Sequence, residues 1–267
     1  MVTQILKTKA EQGLADQFRA GKPDLPGAGS AWVEGLRDAA WEAYASAGLP
    51  HARVEEWKYT DLRRLLSDAY PPAPALAEAL NKDDIAKALG EELAQIDCHR
   101  LVVVDGQLRA ELSDVMGLAG QGLVQSLGDV LADPSDWLKD TLGQVNPSQG
   151  NTVIALNAAL MTGGVALRIG DNTVLEKPIH IVHVFAAKDA ASVTTRNVIS
   201  IGADARVTLL ESYVSHGSAP AQRNVVSELI AGDGSHVHHI KFQNESLEST
   251  HLTGWVTRLG ADVTYRA

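Results

Sequence analysis

Three histidines, His236, His238 and His239, stand within four residues, and imidazole pairs are common metal ligands. On an extended strand, residues two apart share a face, so His236 and His238 could offer two ring nitrogens to one cation. The segment alignment described below places Arg206 and Thr208 beside them on one side, and Thr264 and Arg266 on the other. Two guanidinium groups next to a cation are unfavourable, and no cysteine or carboxylate falls in register. Surface histidines on a polar face are therefore expected. His180 and His183, three apart, point to opposite faces of a strand and form a weaker pair. Cys98, the single cysteine, excludes an internal disulfide and fits a reducing compartment. Its place before Leu101–Val104 predicts a small residue at a strand start, not a reactive thiol. Glu211, Glu228 and Glu245 fall at different registers, so nothing pairs them as acid and base and no hydrolase is indicated. No glycine-rich loop ending in Lys-Ser/Thr provides an ATP site. The residues thus name no catalytic group, no cofactor-binding residue and no metal ligand.

What must position these side chains is a repeat. Four glycine corners recur: Ile169-Gly170-Asp171-Asn172, Ile201-Gly202-Ala203-Asp204, Ala231-Gly232-Asp233-Gly234 and Leu259-Gly260-Ala261-Asp262. The glycines are 32, 30 and 28 residues apart. A near-constant step with the same turn chemistry marks a stacked architecture, and Gly with Asp or Asn gives the backbone freedom for a sharp bend. Aligned on the glycine, Ile169, Ile201, Ala231 and Leu259 precede it by one, and Leu167, Ile199, Leu229 and Thr257 by three. Between them lie Arg168, Ser200, Ile230 and Arg258, which is a strand with one buried face. Five residues past the glycine come Leu175, Val207, Val237 and Tyr265. Leu210 and Ile240 then fall at the wrong parity, which predicts a bulge or second bend. Strand, corner, strand and loop make one coil of a parallel β-solenoid with like residues stacked, with loops such as Ser215 to Gln222. An antiparallel sandwich is the competing reading.

The N-terminal part reads as helical. Residues 1–20 suggest a short helix, broken by Gly21 to Gly27. Ser30 caps a second, running to Ala47 with Trp32, Leu36, Ala40 and Tyr44 on one face. Asp83 to Leu93 reads as another. Leu101 to Leu108 reads as a hairpin with Asp105-Gly106 at its turn, with some helix between 127 and 143. Helix periodicity gives way to period two from Asn151. The expected division is a helical domain over residues 1–96 and a β-helix domain over 97–267, its regular coils starting near 151. Residues 1–150 carry 14 Lys/Arg against 23 Asp/Glu, a net −9, and residues 151–267 carry 9 against 10, a net −1. Neither part is basic, which argues against a nucleic-acid track. No run of about 18 apolar residues suggests a membrane span, and Met1 to Ala10 has no apolar signal core.

Glu56-Trp57-Lys58-Tyr59-Thr60-Asp61-Leu62 resembles the E-x-W-K-Y-T-x-L signature of the SufB/SufD family of iron–sulfur cluster assembly proteins. Leu156 to Ala159 and Leu175 to His180 resemble the start of that family's β-helix, and the coils Gly202 to Glu211 and Gly232 to Glu245 do so too. The resemblance, to the SufD side of the family, runs from about residue 51 to the end. It implies a helical N-terminal domain, a right-handed parallel β-helix and a small C-terminal helical domain. It also implies a non-catalytic cytoplasmic subunit of the SUF complex that pairs with a SufB-like partner and two copies of a SufC-like ATPase. The subunit would act as scaffold and support iron acquisition, with iron or a cluster held only by the complex. Trp57 and Tyr59 are expected to anchor the helical domain on the β-helix, with a cation–π contact from Lys58. Two other classes share this architecture: a carbohydrate-active β-helix enzyme of the pectin lyase kind, and a solenoid interaction protein without chemistry. The first needs clustered acids or calcium ligands and sugar-stacking aromatics, which the coils lack.

Family members continue through further coils and helices, which carry a functional histidine and the ATPase-binding surface, so neither is assigned to a residue here. The stop at Thr264-Tyr265-Arg266-Ala267, inside a strand, leads to the expectation of a C-terminally truncated chain with an uncapped solenoid end. Such a chain should aggregate or dimerise through that edge. A concentration-independent monomer in sedimentation velocity would contradict it.

Overall fold

The corners set the pitch of the whole C-terminal half. A computed structural model describes residues 7–74, 79–145 and 150–267. Eleven strands are assigned among the described residues: β1 (His99–Val104), β2 (Gln107–Leu108), β3 (Gly122–Ser126), β4 (Val165–Ile169), β5 (Ile179–Phe185), β6 (Ala191–Ile201), β7 (Arg206–Ser215), β8 (Ala221–Ala231), β9 (His236–Asn244), β10 (Ser249–Leu259) and β11 (Thr264–Arg266). They form two sheets, ordered β2-β1-β5-β7-β9-β11 and β3-β4-β6-β8-β10. All pairings are parallel except the first in each sheet, β1 with β2 and β3 with β4. This is a parallel β-solenoid, and the sandwich reading fails.

Its register is the one that the glycine alignment requires. Ile169 pairs with Ile201, Ile201 with Ala231, and Ala231 with Leu259. Beyond the corner, Val207 pairs with Val237 and Val237 with Tyr265. These positions point between the sheets, where Leu167, Ile169, Ile181, Ile199, Ile201, Val207, Leu209 and Leu229 form the main apolar core.

The physical reason for the corner glycines differs from the expected one. The left-handed residue at each corner is Asn172 (φ 57°), Asp204 (φ 56°), Gly234 (φ 68°) or Asp262 (φ 55°), two positions after the repeating glycine. Asn and Asp tolerate that region better than other side chains. At Gly202, Gly232 and Gly260 the preceding coil instead excludes a side chain, while a Cβ on Gly170 would meet only Thr173 Oγ1 at 3.5 Å. A Cβ on Gly202 would sit 2.5 Å from the Asp171 nitrogen, and one on Gly232 would sit 2.7 Å from the Ala203 nitrogen. Corner amides bond to the neighbouring corner: Asn172 N donates to Ala203 O (2.8 Å), Asp204 N to Asp233 O (2.8 Å) and Gly234 N to Ala261 O (2.8 Å).

Three other expectations are corrected. No bulge occurs at Leu210 and Ile240, which pair within the continuous ladder of β7 and β9. Their parity is that of the outer face. Leu210 is buried there, while Ile240 is exposed. Period two does not start at Asn151, which caps a helix over Thr152–Leu160 with its side-chain oxygen. That helix is buried from Val153 to Ala159, Asn157 included, because it is sandwiched between the Ala31–Ala47 helix and β6 and β8. Finally, the Ala31–Ala47 helix buries Val33, Arg37, Ala40 and Tyr44, a face turned slightly from the expected one. Arg37 reaches through it to donate to the carbonyls of Ala159 (2.9 Å), Met161 (2.9 Å) and Pro26 (2.8 Å).

Elsewhere the reading holds. Helix Lys9–Gly21 begins at a Thr8–Glu11 capping box, and residues 1–6 lie outside the described ones. The Asp83 to Leu93 helix is split by Gly90 into Lys82–Leu89 and Glu91–Ala94. Asp105 (φ 47°) and Gly106 (φ 84°) make the hairpin turn between β1 and β2. Short helices Leu127–Val130 and Asp136–Lys139 fall between 127 and 143.

Replacing Gly232 by Ala should therefore lower unfolding stability by about 1–3 kcal/mol, since backbone and not a flexible side chain must give way. Gly35→Ala, on an open helix face with nothing within 4 Å of the added methyl, should be neutral or gain up to about 1 kcal/mol. Urea unfolding of the two variants checks the contrast.

Candidate functional site

Continuing the inward parity past the apolar core brings polar side chains between the sheets. On β7 the inward residues after Leu209 are Glu211 and Tyr213, and on β9 His239 and Lys241 follow Val237. From the other sheet come Asn197, Ser227 and Trp255, which stack in register. All but Lys241 and Trp255 are buried.

They form one hydrogen-bonded column. Asn197 takes a bond from Val165 N at Oδ1 (3.1 Å), and its Nδ2 donates to Ser227 Oγ (3.0 Å) and lies 3.2 Å from His183 Nε2. Ser227 Oγ and Tyr213 OH both donate to Glu211 Oε1 (3.1 Å each). Glu211 Oε2 lies 3.1 Å from His239 Nε2, and His239 Nδ1 lies 3.2 Å from Tyr265 OH. Rings stack alongside: His183 on Tyr213 at 4.7 Å and His239 on Trp255 at 3.7 Å between centroids. Next to the column Arg223 pairs with Glu245, which also meets His251 Nδ1 at 2.8 Å.

Burial governs the electrostatics. Desolvation pushes the His183 imidazole well below its ordinary pKa, and Arg223 adds to the effect. It holds the Tyr213 phenol well above its ordinary value, with Glu211 adding to that shift. Lys241, 4.8 Å above the Tyr213 ring, is lowered by desolvation. Desolvation works to raise the Glu245 carboxyl, but His251 and Arg223 hold it below the usual range. The tautomer of His239 decides whether its ring donates to Glu211 through Nε2 or to the Tyr265 hydroxyl through Nδ1. Among the described residues, no group of three or more His, Cys, Asp or Glu is placed to hold a metal ion.

A second network joins the outer face of the other sheet to the helices. Arg196 Nε donates to Glu228 Oε1 (2.6 Å), its Nη1 donates to Asn157 Oδ1 (3.0 Å), and Gly143 N donates to Glu228 (2.9 Å). Asn157 in turn donates to the carbonyls of Thr195 and Asn224 (2.9 Å each). The three glutamates that looked isolated thus each have a basic partner: His239 for Glu211, Arg196 for Glu228, and Arg223 with His251 for Glu245. None forms an acid–base carboxylate pair. The sequence signal was present in the inward parity of 211, 213 and 239, but Ser227 and His239 sit 16 and 28 residues from Glu211.

Of the histidine cluster, His236 and His238 are exposed beside Arg206, Thr208, Thr264 and Arg266 in the expected register. His239 is the buried exception. His180 faces outward and His183 inward, as their spacing requires. His180 Nε2 lies 2.7 Å from Ser212 Oγ, and its Nδ1 lies 3.9 Å from Cys98 Sγ. Burial raises the Cys98 thiol pKa, against a lowering by Arg100, so the thiol stays protonated. Trp57 packs against the apolar cluster that joins Tyr44, Leu49 and Leu62 to Val153 and Leu156. Tyr59 does not, being 92% exposed with Lys58 Nζ 5.2 Å from its ring centroid. Its place at the end of a short turn, after Trp57, points it to solvent.

The fold and its interior define a class: a solenoid whose buried polar groups are spent on holding coils together. Residues 8–181 match the family model for the SufBD protein N-terminal region, and residues 183–267 that for the SUF system FeS cluster assembly SufBD core domain. The chain belongs to the SufBD family. It is 30% identical over 240 residues to an iron–sulfur cluster assembly SufBD family protein of Synechocystis sp., covering 86% of this chain and 51% of that one. It is 27% identical over 241 residues to SufD of Bacillus subtilis, covering 86% and 52%. It is 24% identical over 220 residues to SufD of Escherichia coli, covering 81% and 48%. The chain therefore spans about half the length of these curated relatives.

The buried imidazoles make stability depend on pH. Desolvation, helped by Arg100, lowers the His180 pKa to about 3, while an unfolded histidine titrates near about 6.5. Between those values the unfolded chain binds more protons, so the contribution of His180 is intact above about 6.5 and drains as pH falls toward 3. His183 acts in the same direction. Denaturation midpoints should fall from pH 7 to pH 4, and His180→Gln should show a shallower fall over that range than the wild-type chain.

Proposed function

We propose that this chain serves as a non-catalytic scaffold subunit of a SUF iron–sulfur cluster assembly complex. It would pair with a SufB-like subunit and work with a SufC-like ATPase in the bacterial cytoplasm. The observation that carries the reading is the match to both SufBD family models along residues 8–267, on a solenoid whose interior carboxylates are already paired with basic groups. Supporting it, no helix among the described residues is long and apolar enough to cross a membrane. Iron or a cluster would be held by the assembled complex and not by this chain alone. Parallel coils suit pairing through their exposed strand edges, because unsatisfied backbone groups accept another strand directly.

The test is co-expression of the gene, in its full genomic reading frame, with the SufB-like and ATPase genes of the same organism. A stable complex that accepts iron and sulfide, while the 267-residue chain alone retains no stoichiometric iron, is the expected result. Absence of both partners from the purified material, or polysaccharide cleavage by the chain, would overturn the reading.

A further inference from the structure

The outer face of β7, β9 and β11 carries a cluster that the fold does not consume. Parallel register lines up Arg206, His236 and Thr264 in one row and Thr208, His238 and Arg266 in the next row of the same face. These six residues, together with Leu175, Val207 and Val237, line an open cavity of about 310 Å³. The two arginines and the two histidines are exposed. Arg196 and Arg223, inside the body, each sit on a glutamate. Among the described residues, Arg206 and Arg266 have no such partner. Of the corner carboxylates, Asp171 Oδ1 accepts from Ala203 N (2.9 Å) and Asp233 Oδ1 from Ala261 N (2.8 Å), and neither these two nor Asp204 and Asp262 line the cavity. Glu176 follows Leu175 at the rim but does not line the cavity.

The lining is therefore rich in donors and holds no carboxylate, in a chain whose net charge is −10. A metal ion would face two guanidinium groups, whereas an anion is attracted by them. The arginines stand two strands and two residues apart, roughly 12 Å between Cα atoms from strand spacing. They approach from opposite corners, which suits an anion with several outward oxygens better than a flat carboxylate that one fork can satisfy. We propose that this cavity binds a phosphate group, free or as a terminal monoester, between Arg206 and Arg266, with the Thr208 and Thr264 hydroxyls and the His236 and His238 rings completing its hydrogen bonds. The proposal stands apart from the scaffold reading.

Calorimetric titration of the 267-residue chain at low ionic strength, with inorganic phosphate and separately with phenyl phosphate, tests it. One saturable site is expected, weakened about tenfold in Arg206→Gln and in Arg266→Gln. Arg168→Gln, on the exposed outer face of the other sheet, should leave it unchanged. All three positions are exposed, and unaltered unfolding midpoints show that each variant is folded. Binding of both probes identifies a monoester site, and binding of phosphate alone a free-anion site; either supports the proposal. No saturable binding, an equal loss in Arg168→Gln, or preferential binding of Ni²⁺ through His236 and His238 would overturn it.

Discussion

The constraint on which the rest depends is the backbone contact between successive corners. Each corner donates its amides to the next, and the repeating glycine lets the two main chains meet without a side chain between them. At Gly202 and Gly232 the room left for a Cβ is already taken by backbone of the preceding coil. Once that contact is fixed, the strand register follows for ten or eleven residues on each side. Every residue in a coil then has a defined neighbour above and below.

That fixed register makes a polar interior tolerable. A buried carboxylate is costly unless it is paired and its remaining lone pairs are met. Glu211 meets this condition with Tyr213 and Ser227 as donors and His239 beside it, groups supplied by three strands of two sheets. A slip of one residue would turn all of them outward. The column therefore ties coil-to-coil register to hydrogen-bond satisfaction, which favours one stacking arrangement over its neighbours. The Arg196–Glu228 pair does the same for the helical part, since Asn157 binds it from the Thr152–Leu160 helix and Gly143 from the turn after the Asp136–Lys139 helix.

The two faces of the solenoid have different fates. Outward residues near the N-terminal end of the stack, such as Val102, Val182 and Val184, are covered by helix Lys82–Leu89. Ala166 and Val198 are covered by the segments around Val33 and Leu138. Farther along the stack the cover ends, and the same outward parity presents His236, His238, Arg206 and Arg266 to solvent.

The amino-acid pattern alone specified the parallel stack, the pairing of Ile169, Ile201, Ala231 and Leu259, and the neighbours of His236 and His238. These are local, periodic properties, and alternation plus turn chemistry is enough to read them. The family was also legible, in the Trp57-Lys58-Tyr59-Thr60 segment. What it left open were features set by contacts between distant segments. The Thr152–Leu160 helix has no polar face to mark it, because its surroundings are protein on every side. Leu210 looks out of phase until the unbroken β7–β9 ladder is seen to place it on the outward face. Glu211 and His239 look unrelated in one dimension and become partners only when two coils are stacked. Tertiary packing decided these cases because burial, and the demand that every buried charge find a partner, acts through space and not along the chain.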